Sequence, residues 1–261
     1  MLAACEMSGR VRDAFAARGW EAWSADLLPS ETPVRTKVDS SGRGVHRLYV
    51  TDAKGKILNR TPPNTHHYQG DVLDLFGWYH PVNLAHWKAC DGLPDHLAPL
   101  WDLVIAFPPC TDLSLAGARY WKEKRADGRQ DEAANFFFLM ADAPAPHIAI
   151  ENPRGDMTRR WRPPDQYVEP WQFGDPLKKK IGLWLYGLPL LTADNPVEPT
   201  GRVATGGGSH RTDIAAGRGR QNWHEDSEGR ARRGIVRSRT SAQVARAMAD
   251  QWGSYLEGLY Q

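Results

Sequence analysis

Cysteine is scarce in this chain: three among 261 residues, Cys5, Cys90 and Cys110. The number is odd, no two lie close together, and no Cys/His spacing of a zinc site occurs. A disulfide framework and a structural metal are therefore not expected, and a reducing, cytoplasmic setting is. Long apolar runs are also missing; none reaches the ~18 residues of a membrane-spanning helix. No secretory leader is expected, because Glu6 and Arg10 interrupt the apolar start Met1–Cys5. Internal repeats are absent. Lysine is absent from residues 200–240, where nine Arg stand against four acids, an excess of five in a chain whose total is +2. Arginine alone suits bidentate contacts to phosphates and base edges. Dense glycine there also fits a solvated tail, but Trp223 and His224 in its middle, and a helix after it, weigh against that.

What is present is centred on Phe107-Pro108-Pro109-Cys110-Thr111-Asp112-Leu113-Ser114. The apolar run Trp101–Phe107 ahead of it reads as a buried strand. A thiol just past such a strand sits where open α/β sheets place their chemistry, and two prolines stiffen the turn. Alone, the stretch equally fits a small buried cysteine. A second apolar strand, Ile148-Ala149-Ile150, ends in Glu151-Asn152-Pro153. If the two strands are neighbours, a thiol and a carboxylic acid share one sheet edge.

Around this pair the chain reads in order. Met1–Cys5 is a strand, Glu6-Met7-Ser8-Gly9 a turn with Ser8 as helix N-cap, and Arg10–Arg18 a helix that Gly19 closes. Glu21–Ala25 is a second strand ending at Asp26. This is the layout of a nucleotide-binding βαβ unit without its Gly-rich fingerprint, since only Gly9 is present. Residues 30–64 read as an insertion with a hairpin at 45–58. His66 and His67 read as a polar loop rather than a metal site, leading to a strand end at Asp71. Val72–Phe76 and Leu84–Leu100 are expected as helical cover. The stretch Ser114–Gln130 reads as a loop mixing Arg119, Tyr120, Trp121, Lys122, Lys124 and Arg125, a pattern that suits a nucleic-acid channel or an ordinary exposed loop. Asp131–Ala141 is a helix, Lys178-Lys179-Lys180 leads into the strand Ile181–Tyr186, residues 192–236 carry little regular structure, and Thr240-Ser241 caps a last helix.

In this order the motifs resemble the DNA cytosine-5 methyltransferases, most closely the compact forms of bacteriophages and prophages. The specific part is Pro108-Pro109-Cys110 followed about 40 residues later by Glu151-Asn152. The resemblance implies an α/β, Rossmann-like methyltransferase fold: a mostly parallel sheet with helices on both faces. It implies a catalytic domain at 1–188, a short recognition region at 189–235, and a C-terminal helix at 236–261 that returns to the catalytic domain. S-adenosylmethionine is the implied cofactor, held by Cys5, Glu6, Met7, Ser8, Gly9, Asp26, Asp71 and Pro108. Cys110, Glu151, Asn152 and Lys179 are the implied catalytic residues. Ser114, Arg119, Lys180, Arg230, Arg232, Arg233, Arg237 and Arg239 are the implied contacts to double-stranded DNA. A monomer without metal or membrane attachment is expected, in the cytoplasm of a bacterial host if phage-encoded.

The sequence departs from the family in places. The first loop has one glycine where three are usual, Thr111 stands where Gln is common, and Lys179 and Ile181 fall where two Arg are usual. A cysteine after the prolines, where an amino-methylating enzyme carries an aromatic residue, favours attack on a ring carbon. Two other readings stay open. One is a related pyrimidine-modifying enzyme with a modified donor or with RNA or a free nucleotide as acceptor. The other is a DNA-binding relative without turnover.

Overall fold

The computed structural model of the chain describes residues 1–32, 65–76, 101–202 and 239–260. The expected hairpin at 45–58, the helical cover at Leu84–Leu100, Cys90, Arg230, Arg232, Arg233 and Arg237 lie outside these residues. Strands β1 (Leu2–Ala4), β2 (Ala22–Asp26), β3 (Thr65–Gln69), β4 (Leu103–Ala106), β5 (His147–Asn152), β6 (Gln166–Val168) and β8 (Ile181–Tyr186) form one sheet in the order β3-β2-β1-β4-β5-β8-β6. β1 to β5 are parallel, and β8 runs antiparallel to both β5 and β6. A small separate pair joins β7 (Leu177–Lys178) to β9 (Gly201–Arg202).

The central strands are apolar at successive positions because both faces are covered. Side chains alternate across a strand. Ala3, Leu103 and Ile105 therefore face one core with Val11 and Phe15 of α1 (Arg10–Ala17) and Val244, Met248 and Trp252 of α5 (Ala242–Leu259). Leu2, Ala4, Val104 and Ala106 face the other, with Ala134, Phe137 and Met140 of α3 (Arg129–Ala141). Phe137 meets the fully buried Trp184 edge-on at 5.2 Å. Each such aromatic contributes ~2–3 kcal/mol by burial. The fold is thus α/β and Rossmann-like, as expected.

Three local readings change. Gly9, not Ser8, occupies the N-cap of α1, with φ +73°; the Ser8 hydroxyl donates to Glu6 and accepts from the Arg10 amide (3.4 Å). His66 and His67 lie within β3 rather than in a loop: His66 stacks on Trp23, and His67 bridges Ser24 Oγ (2.9 Å) and the Leu28 carbonyl (3.1 Å). Burial lowers the His67 pKa to about 4, so the ring is neutral. The stretch Ser114–Gln130 is also not a loop. It forms a 3-10 helix (Leu115–Tyr120), α2 (Trp121–Ala126) and the start of α3, and the short α4 (Met157–Arg160) follows β5.

Sheet order positions the site. The chain goes from β1 outward through β2 to β3, then returns to β4 on the other side of β1. That reversal leaves a crevice at the carboxyl ends of β1 and β4, where open α/β sheets bind ligands. The Cys5–Gly9 loop and the Pro108–Cys110 turn both leave the sheet there.

Candidate active site

The first loop is tight. Cys5 has φ +57° and Gly9 φ +73°, so the chain turns sharply at both ends of Glu6–Ser8. Glu6 is buried; it accepts from Ser8 Oγ and from the Gly9 amide (3.1 Å). Burial raises its pKa to about 7, against the opposing pull of Ser8 and of Arg12. The Cys5 thiol is pushed far up, first by burial and then by the carboxylates of Asp26 and Asp71. Those three groups, from the ends of β1, β2 and β3, therefore converge. Asp26 is raised by burial, and Leu28 N donates to it (2.9 Å). Asp71 is exposed and caps the turn after β3 by accepting from Leu73 N (3.0 Å).

The second half is built on β4 and β5. Ala106 pairs with Ile150, so the chain beyond β4 runs beside Glu151 and Asn152. Asn152 is buried, and its Nδ2 donates to the carbonyl of Pro108 (2.9 Å). That bond ties the Glu-Asn strand end to the Pro-Pro-Cys turn. Cys110 is half-buried, and its carbonyl accepts from Leu113 N (3.2 Å) and Ser114 N (2.9 Å), closing a helical turn. The two exit loops are then strapped together. Asp156 N donates to Leu113 O (2.7 Å), Leu115 N donates to Arg154 O (3.2 Å), and Ser114 bridges Gly155. A side chain at Gly155 would collide with the Leu113 carbonyl.

Burial raises the Glu151 carboxyl above its ordinary range, while the Lys179 ammonium pulls it back. Lys179 thereby joins Glu151, and its Nζ donates to the Arg239 carbonyl (3.4 Å). The segment before α5 crosses the first loop here: Arg10 donates to the Thr240 carbonyl (2.7 Å), Arg239 pairs with Glu31 (2.7 Å), and Ser241 Oγ donates to Asp175 (2.7 Å).

The other expected contacts are scattered. Ser114 is buried, with its backbone in the strap. Arg119 is exposed and lies over the Tyr120 ring (4.6 Å). Lys180 is exposed and lies over the Tyr167 ring (4.6 Å). Three residues hold the cysteine turn. Lys124, read from the sequence as part of a nucleic-acid channel or an exposed loop, is instead buried beneath it with Gln130, and Gly155 lies against it. Their types and spacing carry no signal that separates them from an ordinary helix face or turn. Among the described residues no three His, Cys, Asp or Glu side chains cluster as metal ligands, and no helix is long and apolar enough to cross a membrane.

No family model and no curated protein matches this sequence. Among solved structures, the chain resembles a protein proposed to be a DNA modification methyltransferase encoded within an E. coli prophage. Identity is 13%, the TM-score is 0.38, and the match covers 70% of this chain. It spans 45% of that protein's length.

Proposed function

We propose that this chain is a DNA (cytosine-5)-methyltransferase that acts through a covalent bond between Cys110 and carbon 6 of a flipped cytosine. The observation that carries this reading is the Asn152–Pro108 hydrogen bond, which joins the thiol-bearing and carboxyl-bearing strand ends at the crevice of the sheet.

The residues around the first loop fit S-adenosylmethionine. Asp26 offers a carboxylate to ribose hydroxyls, Asp71 acts with it on the Cys5 thiol, and Cys5–Gly9 turns tightly ahead of a helix N-terminus. When bound, the cofactor supplies an electrophilic methyl group. Carbon 5 of cytosine is too weak a nucleophile to take it unaided. Addition of the Cys110 thiolate at carbon 6 gives an enamine-like ring whose carbon 5 can attack. The addition places negative charge on the ring. Glu151, whose burial favours the protonated form, donates a hydrogen bond to ring nitrogen 3, and the Lys179 charge lies beside it. Asn152 holds the geometry of the turn. After transfer, a base removes the carbon-5 proton and the thiol is eliminated. A stacked duplex excludes these contacts, so the base is flipped out. In this reading residues 189–235 form the recognition region, and Arg230, Arg232, Arg233, Arg237 and Arg239 supply phosphate contacts.

The test is covalent trapping. A cytosine with fluorine at carbon 5 has no proton to lose there, so the reaction stops at the adduct. Incubation with S-adenosylmethionine and random-sequence duplex carrying 5-fluorocytosine should give a cofactor-dependent adduct that peptide mass spectrometry maps to Cys110. An adduct at another residue, or none with cofactor bound, would contradict the reading.

A further inference from the structure

The cysteine turn rests on a buried cation that the proposed chemistry does not yet use. Lys124, on α2, is 5% exposed. Its ammonium donates to the carbonyl of Thr111 (2.7 Å), the residue next to Cys110, and pairs with Asp112 (2.8 Å). Burying an ammonium is costly unless it is paired and hydrogen-bonded. This one is held wholly by the two residues after the thiol. Gly117 makes the room: a Cβ there would lie 3.2 Å from both Lys124 Nζ and the Thr111 oxygen. Gln130, fully buried on α3, completes the grip by donating to the Asp112 carbonyl (3.1 Å) while accepting from Arg125 (2.8 Å). The stretch after the cysteine thus folds back as two helices and clasps the turn it came from.

We infer that Lys124 is a positioning residue for the Cys110 thiol: through Thr111 and Asp112 it fixes the turn, and its charge favours the thiolate. The inference rests on Cys110 being the nucleophile. Among the described residues, the other charged groups of α2 and α3, Lys122, Glu123, Arg125, Arg129, Asp131 and Glu132, are exposed. Asp112 lies in the turn and Lys124 under it. Glu151 ends β5 and faces Lys179 from the approach to β8. Arg154 leads to Asp156, which is paired with Arg160 (2.7 Å). Among the described charged groups, the Lys124–Asp112 pair bonds to the turn through its own side chains, so its two members should act on the thiol in opposite directions.

The measurement is the rate of Cys110 alkylation by iodoacetamide against pH, quantified on the Cys110 peptide of the full chain without DNA or cofactor. Lys124→Met leaves Asp112 unpaired near the thiol and should move the midpoint of the profile up by roughly half a unit or more. Asp112→Asn leaves the ammonium alone and should move it down. Loosening of the fold would not give shifts of opposite sign. Unchanged midpoints in both variants, or shifts of the same sign, would overturn the inference. If Lys124→Met does not fold, as a thermal melt would reveal, the Asp112→Asn shift decides alone: downward supports, unchanged or upward overturns. Alkylation needs no turnover. Opposite shifts in a protein that forms no 5-fluorocytosine adduct would therefore sink the methyltransferase reading while leaving Lys124 in its role.

Discussion

Glu6 is a carboxyl group buried at the heart of the first loop, where an ionised form lacks the solvation it has in water. The unfolded chain releases its proton near 4.5, whereas the folded chain holds it to about 7. The stability this group contributes is therefore fully present below 4.5 and is lost as pH rises through 7. The loss is on the order of 3 kcal/mol across that window. Glu6→Gln should remove this part of the pH dependence, stabilising the protein at pH 8 relative to wild type but not at pH 4.5. Thermal melts at the two values check it; an equal change at both would mean that the carboxyl is ionised throughout. At this scale the sequence was informative where chemistry marks a residue. Cys110 and Glu151 stand out because a thiol and an acid end apolar runs. Lys124 does not, because burial of a lysine depends on what folds over it, and its neighbours Thr111 and Asp112 are 13 and 12 residues away in the chain.

The strands were legible as elements for the same reason that they are buried. β4 and β5 are apolar at successive positions because both faces are covered, and β8 was readable at its full length, Ile181–Tyr186. The helices after Ser114 were not legible. Gly117 and Gly128 interrupt the stretch, six-residue segments hold at most two turns of pattern, and the aromatic and basic residues suit a loop equally well. His66 and His67 hid β3, since two histidines in succession carry no strand signal until Trp23 and Ser24 are placed beside them. The strap between the two exit loops is an element-scale device that only the fold reveals. Gly155→Ala would push the Arg154–Asp156 loop away from Leu113 and misalign Cys110 against Glu151. Turnover should fall roughly tenfold to a hundredfold, with S-adenosylmethionine affinity unchanged, since the first loop lies on the other strand. Calorimetric titration beside initial rates checks this; equal losses in both would mean that the strap supports the whole crevice rather than the thiol.

For the whole molecule, the decisive feature is the reversal of strand order beside β1. It brings residues near 5, 26, 71, 108 and 151 to one edge from separate parts of the chain. The α/β class was implied by the family resemblance of the motifs, and the neighbouring position of β4 and β5 was only a condition of that reading, one that the pairing of Ala106 with Ile150 meets. The return of the C-terminal segment is written in contacts that no local pattern announces. Arg239 and Thr240 lie across the first loop and over Lys179, while α5 packs on α1 through Arg18 and Trp20 to Glu257 (2.9 and 2.8 Å). Arg239 and Thr240 thereby bond to both halves of the crevice. The direct test of the central claim is transfer of labelled methyl from S-adenosylmethionine to unmodified duplex DNA, with Cys110→Ala alongside, followed by nucleoside mass spectrometry. A covalent cytosine-5 mechanism predicts 5-methylcytosine from the wild type and none from the variant, with cofactor binding retained in both. Product from the variant, or a methyl group on any other atom, would contradict it.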